Sequence, residues 1–386
     1  MRKYYFAYML LLIAFFAESQ TTTFTWAKNV GGSSYDDGKS ISIDASGNVY
    51  TTGYFFGTVD FDPGTGVANL TSQGTLNNVF VLKLDASGNF VWVKQFTGTS
   101  STSVTVDAAG TLYLTGEFEG TVDFDPGPGT FYLTGSSDIY ILKLNSSGNF
   151  VWVKSMGGSG VDRGNGIALD GSGNIFTTGF FNFTVDFDPG PGIYNLTVVG
   201  ASTGGVGDIF VLKLASSGDF VWARSMGGSS ADHGSAIMVD GTGNVLTTGY
   251  FFETVDFDPG PGVHNITSVG ASDIYISKLS AAGDFVWAAG IGGTGANGDN
   301  GTTIAVDALG NVYTAGRFSS TTDFDPGTGS FNLTPAGGSD IFISKLSSSG
   351  SFLWAKSFGG TGNDASYSID LDGLGNVYTT GSFQGE

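Results

Sequence analysis

Ile167-Ala168-Leu169, then Asp170-Gly171-Ser172-Gly173-Asn174, then Ile175-Phe176-Thr177-Thr178-Gly179: two short apolar runs flank five turn-forming residues. β-Branched and aromatic runs of this length, bounded by Gly, Asn, Asp and Ser, are strand signals, and the close connection makes them an antiparallel hairpin. Gly accepts a positive φ without steric cost, and Asp or Asn bonds the local backbone, so the turn is chemically specified. Further along, Asp208-Ile209-Phe210-Val211-Leu212-Lys213-Leu214 and Phe220-Val221-Trp222-Ala223 enclose another Ser-Ser-Gly-Asp turn and form a second hairpin. The four strands are called a (Ile167 region), b (Ile175), c (Ile209) and d (Phe220). In strand c of the preceding unit, Ile139 and Ile141 fall on one pleat face and Tyr140, Leu142 and Leu144 on the other. A sheet apolar on both faces must be covered on both.

The pattern repeats through the chain. Trp26, Trp92, Trp152, Trp222, Trp287 and Trp354 mark a period near 65 residues, and Asp-Phe-Asp-Pro-Gly begins at Asp60, Asp123, Asp186, Asp256 and Asp323. Four antiparallel strands per unit of this length, repeated radially, predict an all-β fold, a β-propeller of four-stranded antiparallel blades. About six blades are expected, seven with one further unit. An open solenoid or sandwich array is the rival, disfavoured because solenoid coils are shorter.

Composition narrows the function. The 386 residues hold 63 Gly, no Cys, two His and a net charge of −20. Thiolate chemistry, disulfide scaffolds and Cys-ligated zinc are excluded. The acidic balance disfavours nucleic acid as a partner. Arg2 and Lys3 precede the apolar run Tyr4 to Ala17, which gives way to Glu18-Ser19-Gln20. This is the pattern of a secretory signal peptide over 1–19, cleaved near Ser19. The run is too short to span a bilayer, so no transmembrane segment is expected in the mature chain, and a secreted or cell-surface location is. The propeller domain then covers 20–386.

The stretch from Gly157 to Gly179, with Gly157-Gly158-Ser159, Asp162 and the hairpin that follows, resembles the SBBP-type β-propeller repeat of secreted bacterial proteins. The resemblance recurs along the whole mature chain and implies the propeller fold; it carries no shared catalytic activity. Unit two departs from it, because Phe96 to Val104 lacks the Gly-Gly pair and the loop aspartate. The final Gly381-Ser382-Phe383-Gln384-Gly385-Glu386 parallels Gly116 to Thr121 in the middle of a unit. The repeat phase therefore predicts a fragment whose last blade lacks strand c, with the Trp26 strand serving as strand d of that blade.

Tight a–b and c–d turns place those turns on one rim and the b–c and d–a segments on the other, which gathers the acidic motifs on one face. Two sets of aspartates are candidates there. Asp36, Asp162, Asp232 and Asp364 follow the Gly-Gly pairs, with Asn297 in that place in unit five and Asp299 close by. They are read either as loop caps or as a partly acidic ring receiving a cation or a polyhydroxyl ligand, with Tyr35 and Tyr54 available to stack on sugars. The second set, Asp60 and Asp62, Asp123 and Asp125, Asp186 and Asp188, Asp256 and Asp258, and Asp323 and Asp325, is read as turn capping or as one calcium site per blade. No other cofactor is implied. His233 stands alone in its unit with no nucleophile tied to it, and His264 replaces a Tyr of the repeat. Shared positions favour a non-catalytic binding or surface-structural module for an extracellular glycan or protein. The alternative is a secreted lyase or glycoside hydrolase with its site at the propeller mouth.

Overall fold

A computed structural model describes residues 24–74, 78–200 and 207–385. The signal-peptide reading and its cleavage point lie outside these residues. Every regular element described is a strand, and the fold is a β-propeller. Four-stranded sheets in the order a-b-c-d are built from Asp36–Ile43, Val49–Phe55, Asn78–Leu84 and Phe90–Thr97 in unit one, and from Arg163–Leu169, Ile175–Asn182, Gly207–Leu214 and Phe220–Met226 in unit three. Units two (Thr99–Met156), four (His233–Gly293) and five (Asn300–Phe358) repeat the order. In a sixth unit the described residues form the a–b hairpin Ala365–Leu371 and Val377–Ser382.

The turns close as the sequence demands. Asp170 Oδ1 accepts the N–H groups of Ser172 and Asn174, both at 2.9 Å, while Gly173 takes a φ of +78°. Asp44, Asp107, Asp240, Asp307 and Asp372 organise their turns in the same way. Each strand a then carries a bulge, as between Gly164 and Gly166. The bulge drives a strand a carbonyl towards strand b: a Cβ on Gly53 would lie 2.0 Å from the Asp37 carbonyl oxygen, and one on Gly179 closer still to that of Arg163. The glycine of strand b at this register is therefore a steric requirement.

Between strands b and c the chain makes a small outer hairpin that the four-strand reading did not include. Thr184–Asp186 pairs with Asn195–Thr197, and Thr58–Asp60 with Asn69–Thr71. The Gly-Gly connector crosses it, so that Gly227 bridges Asp256 and Gly292 pairs with Asp323. This contact puts the b–c and d–a segments on one rim. A second difference concerns Trp26: residues 24–30 form no strand, although Trp26 Nε1 donates to the Ala86 carbonyl at 3.1 Å, as Trp92 does to Ser146 at 3.2 Å.

The cores lie between successive sheets. One joins Phe176, Val211 and Trp222 of unit three to Ile237, Val245 and Tyr275 of unit four. Strands a of all the units surround a central channel of about 740 Å³, lined by Ser40, Thr105, Asn165, Ser235, Thr303 and Ser368 among others. Gly53→Ala is expected to destabilise the fold by roughly 1–3 kcal/mol, the usual cost of forced overpacking, measured by urea unfolding; an unchanged midpoint would contradict the close approach.

Candidate functional site

The Asp-Phe-Asp-Pro-Gly segment is the turn of the outer hairpin. Asp186 Oδ1 accepts the N–H groups of Asp188 (3.1 Å) and Tyr194 (2.8 Å), and Asp188 Oδ1 accepts that of Gly190 at 2.8 Å. Asp60, Asp123, Asp256 and Asp323 bind their hairpins identically, as do Asp62, Asp125, Asp258 and Asp325 their Pro-Gly turns. Phe187 between them is buried edge-on against Phe181, with ring centroids 5.3 Å apart. Each outer hairpin is thus closed by its own carboxylates. Among the described residues no three acidic or histidine side chains converge as a metal cluster would require.

The loop aspartates turn inward. Asp162, Asp232 and Asp364 are fully buried, and each spans two elements. Asp232 Oδ2 accepts the Gly228 N–H at 2.9 Å from the connector, and its Oδ1 accepts the Phe252 N–H at 3.0 Å from the end of strand b. Asp162 links Gly158 to Asn182, and Asp364 links Gly360 to Gln384. Asp36 makes the same bonds less completely, at 2.7 Å to Gly32 and 3.4 Å to Phe56, and is only half-buried. These carboxylates cap loops instead of forming an acidic ring open to ligand. In unit five the place belongs to Asp299, which accepts from Ser319 N–H and Thr322 Oγ1, both at 2.9 Å; the loop is two residues longer there, so Asn297 holds the usual offset without making these bonds.

A second buried carboxylate opens strand c. Asp208, Asp273 and Asp340 each accept one backbone N–H through Oδ2, from Val199, Val269 and Ala336, while Oδ1 is buried without a partner. Burial pushes Asp208, Asp232 and Asp273 up to about 7, and Asp162 up to about 6, with the neighbouring carboxylate adding to it in Asp162, Asp232 and Asp273. The turn aspartates go the other way: Asn174 and Ser172 donors hold Asp170 low against its desolvation.

At the mouth stands the residue that follows the loop-aspartate position, together with its partner on strand b; most of these are half-buried, Arg317 is exposed and Ser100 is buried. These pairs, Ser100 with Glu117, Arg163 with Phe180, His233 with Tyr250 and Asn300 with Arg317, stand just before the channel-lining residues of strand a. Arg163 Nε reaches Glu117 Oε2 at 3.0 Å. The His233 ring stacks on Phe180 at 4.1 Å and on Tyr250 at 4.9 Å, and its Nδ1 shares a 2.9 Å hydrogen bond with the Tyr250 hydroxyl. Burial, helped by the Arg163 charge, lowers the His233 pKa to about 4, so the ring is neutral at pH 7. Beside the stack, Gly160, Val161, Phe180, Phe183, Gly207 and His233 surround a recess of about 410 Å³. Phe183 is partly exposed there with φ +58°, where units one and two place Gly57 and Gly120. A bulky residue in the left-handed region is a strained exception, of the kind that gathers at functional sites. In unit one the same row holds Asp37 with Tyr54; the Tyr35 hydroxyl donates to Asp37 at 3.0 Å, and Lys39 lies over Tyr54. His264 tilts against Phe285 in the place that Tyr194 takes against Phe220.

A family model for the SBBP β-propeller repeat matches residues 25–54 and 151–179. The chain carries SBBP repeats. Each matched SBBP stretch runs through the Gly-Gly connector and loop aspartate into the a–b hairpin. An uncharacterized WD repeat-containing protein, L264, of Acanthamoeba polyphaga mimivirus is 22% identical over 93% of this chain and 31% of its own length. Regulatory protein FlaEY of Caulobacter vibrioides is 28% identical over 44% of this chain and 17% of its own. The chain therefore spans less than a third of the curated relatives it matches. A crystal structure of a protein of unknown function from Bacteroides caccae aligns over 84% of this chain and 82% of that one, with 9% identity and a TM-score of 0.34.

The raised carboxylates fix a pH dependence. The unfolded chain releases these protons near pH 3.9 and the folded chain holds them to about 6–7. Their contribution to stability is full below the unfolded value and is lost as pH rises through the folded one. The melting temperature is expected to fall between about pH 4 and pH 7, and Asp208→Asn, which keeps the Val199 acceptor, to reduce that fall; equal slopes in variant and parent would refute it.

Proposed function

We propose that this SBBP-repeat protein is an exported, non-catalytic propeller that holds an extracellular glycan at its mouth, in the recess between units three and four. The observation that carries this reading is Phe183. Its strained backbone presents an aromatic ring to a recess already walled by Phe180 and His233. Aromatic faces receive the apolar faces of sugars, while Arg163 and Arg317 along the same row offer forked donors to hydroxyl or carboxylate groups. Structural positions recur in unit after unit, whereas this row changes residue at every blade; a ligand that contacts several blades at once would be read by that variation.

A lyase is the second reading, favoured by the 2.9 Å pairing of a neutral His233 with Tyr250. General-base work needs a group within hydrogen-bond reach of the proton removed. Glycan-array binding followed by incubation with uronide and chromogenic glycoside substrates separates the two: retention without product supports the module, and turnover abolished by Tyr250→Phe supports the lyase.

Phe183→Gly tests the recess itself. Relief of the left-handed strain is expected to raise stability by about 1 kcal/mol, while glycan retention drops at least tenfold. Full retention in a stabilised variant would remove the recess from the binding site.

A further inference from the structure

Two walls of the molecule are uncovered where their counterparts are not. Ile41 of strand a in unit one is 62% exposed, while Val104, Ile167, Ile237, Ile304 and Ile369 at the same register are 4–6% exposed. Tyr378 of strand b in unit six is 46% exposed, while Tyr50, Tyr113, Phe176, Leu246 and Tyr313 are at most 3% exposed. Strand b of unit six pairs with strand a on one edge and, among the described residues, with nothing on the other.

The surroundings of that edge specify what would fit it. In four junctions the aspartate that opens strand c packs on the first glycine of the next connector. A Cβ on Gly157, Gly227, Gly292 or Gly359 would fall within about 2 Å of the carboxyl carbon of Asp138, Asp208, Asp273 or Asp340. Gly31 holds the same place before unit one, yet a Cβ there would meet nothing nearer than Asp36 Oδ2 at 3.3 Å. At the other end of strand c, a lysine five residues after the aspartate reaches the c–d turn of the next unit. Lys213 and Trp222 both donate to the Ala281 carbonyl at 3.2 Å, and Lys278 and Trp287 share the Ser348 carbonyl. The corresponding Ala86 carbonyl receives Trp26 and, among the described residues, no lysine. The same lysines lie over the strand b ring of their own unit, Lys213 on Phe176 at 4.9 Å and Lys345 on Tyr313 at 4.5 Å, and Lys345 also pairs with Asp307 at 3.3 Å. Tyr378 and Asp372 are the matching ring and carboxylate in unit six, joined to each other at 3.2 Å.

We propose that this seam is a strand-accepting site. Its occupant is an extended polypeptide strand of the repeat's own strand c type, Asp-Ile-Phe-Ile-Ser-Lys-Leu in character, added antiparallel along Val377–Ser382 between that strand and the Trp26 segment. The main chain pairs with the free edge, as in strand addition generally. The leading aspartate seats on Gly31, and the lysine bridges Asp372, the Tyr378 ring and the Ala86 carbonyl. The apolar alternation covers Ile41 and Tyr378 together. This inference uses none of the residues of the glycan recess and stands or falls apart from it.

The test is a synthetic peptide of residues 339–347, capped at both ends, added to the full chain and followed by melting temperature and by hydrogen exchange of residues 377–382. A saturable rise in melting temperature of several degrees is expected, with slowed exchange at those amides. A peptide with its aspartate and lysine exchanged is expected to bind at least tenfold more weakly. Gly31→Val, which fills the aspartate's seat, and Tyr378→Glu, at an exposed position, are each expected to reduce the effect tenfold while leaving the peptide-free melting temperature within a degree. No shift with the parent peptide, an equal shift with the exchanged peptide, or a dimer in native mass spectra whose second copy already protects residues 377–382 would overturn the proposal.

Discussion

A sheet with two apolar faces is stable only between two neighbours, and this constraint organises the molecule. Each blade presents Ile, Val, Phe and Tyr on both sides of strands b and c, and the buried clusters join residues of successive blades. At about 25 cal/mol per Å² of apolar surface removed from water, covering both faces is worth far more than any one turn or cap. The remaining repeated features serve that stacking. Trp rings and Lys stems reach to the next turn, and the loop aspartates tie each connector to the end of strand b. The constraint also explains why exposure concentrates at Ile41 and Tyr378, where, among the described residues, one face of a blade has no neighbour.

Much of this was legible in the sequence because it depends on residue type and local order. Turn chemistry, strand length, the Trp period and the two-faced apolar runs led directly to hairpins, blades and the shared rim. The outer hairpin was less legible. Its ladder has only three residues on each side, and its signature is Thr184 facing Thr197 across the Asp-Phe-Asp-Pro-Gly turn, a hydroxyl pair at 2.8 Å that no apolar alternation announces. In unit five the loop is two residues longer, so the usual offset falls on Asn297 while the bonds identify Asp299 as the carboxylate.

The mouth was legible in position but not in residue. A repeated aspartate looks like a ligand when its neighbours are unknown, because a buried carboxylate and an exposed one are the same letter. Folding separates them: Asp162 and Asp232 vanish into backbone donors, and the residue after each of them emerges at the mouth. The signal that could have found the site was variation within the repeat. Arg163, His233 and Asn300 differ where the preceding aspartate is constant, and Phe183 and Glu253 replace the glycine that a left-handed backbone favours.

The aspartates also fall into two energetic classes. Those in turns accept several donors and gain from ionising, as Asp170 and Asp240 do. Those at the blade junctions are buried beside one another with an oxygen unpartnered, and gain from holding a proton. A chain of net charge −20 is thereby less charged when folded than its composition implies, because part of its acidity is neutralised inside the junctions at moderately acid pH. Junction protons and inter-blade packing then act together: raising the pH charges the seams between sheets, the same seams in which the apolar surface is buried. Loss of blade cohesion as the pH rises through about 7 consequently begins at junctions where Asp208 meets Asp232 and Asp273 meets Asp299, before the turns, whose carboxylates are already ionised, have anything to lose.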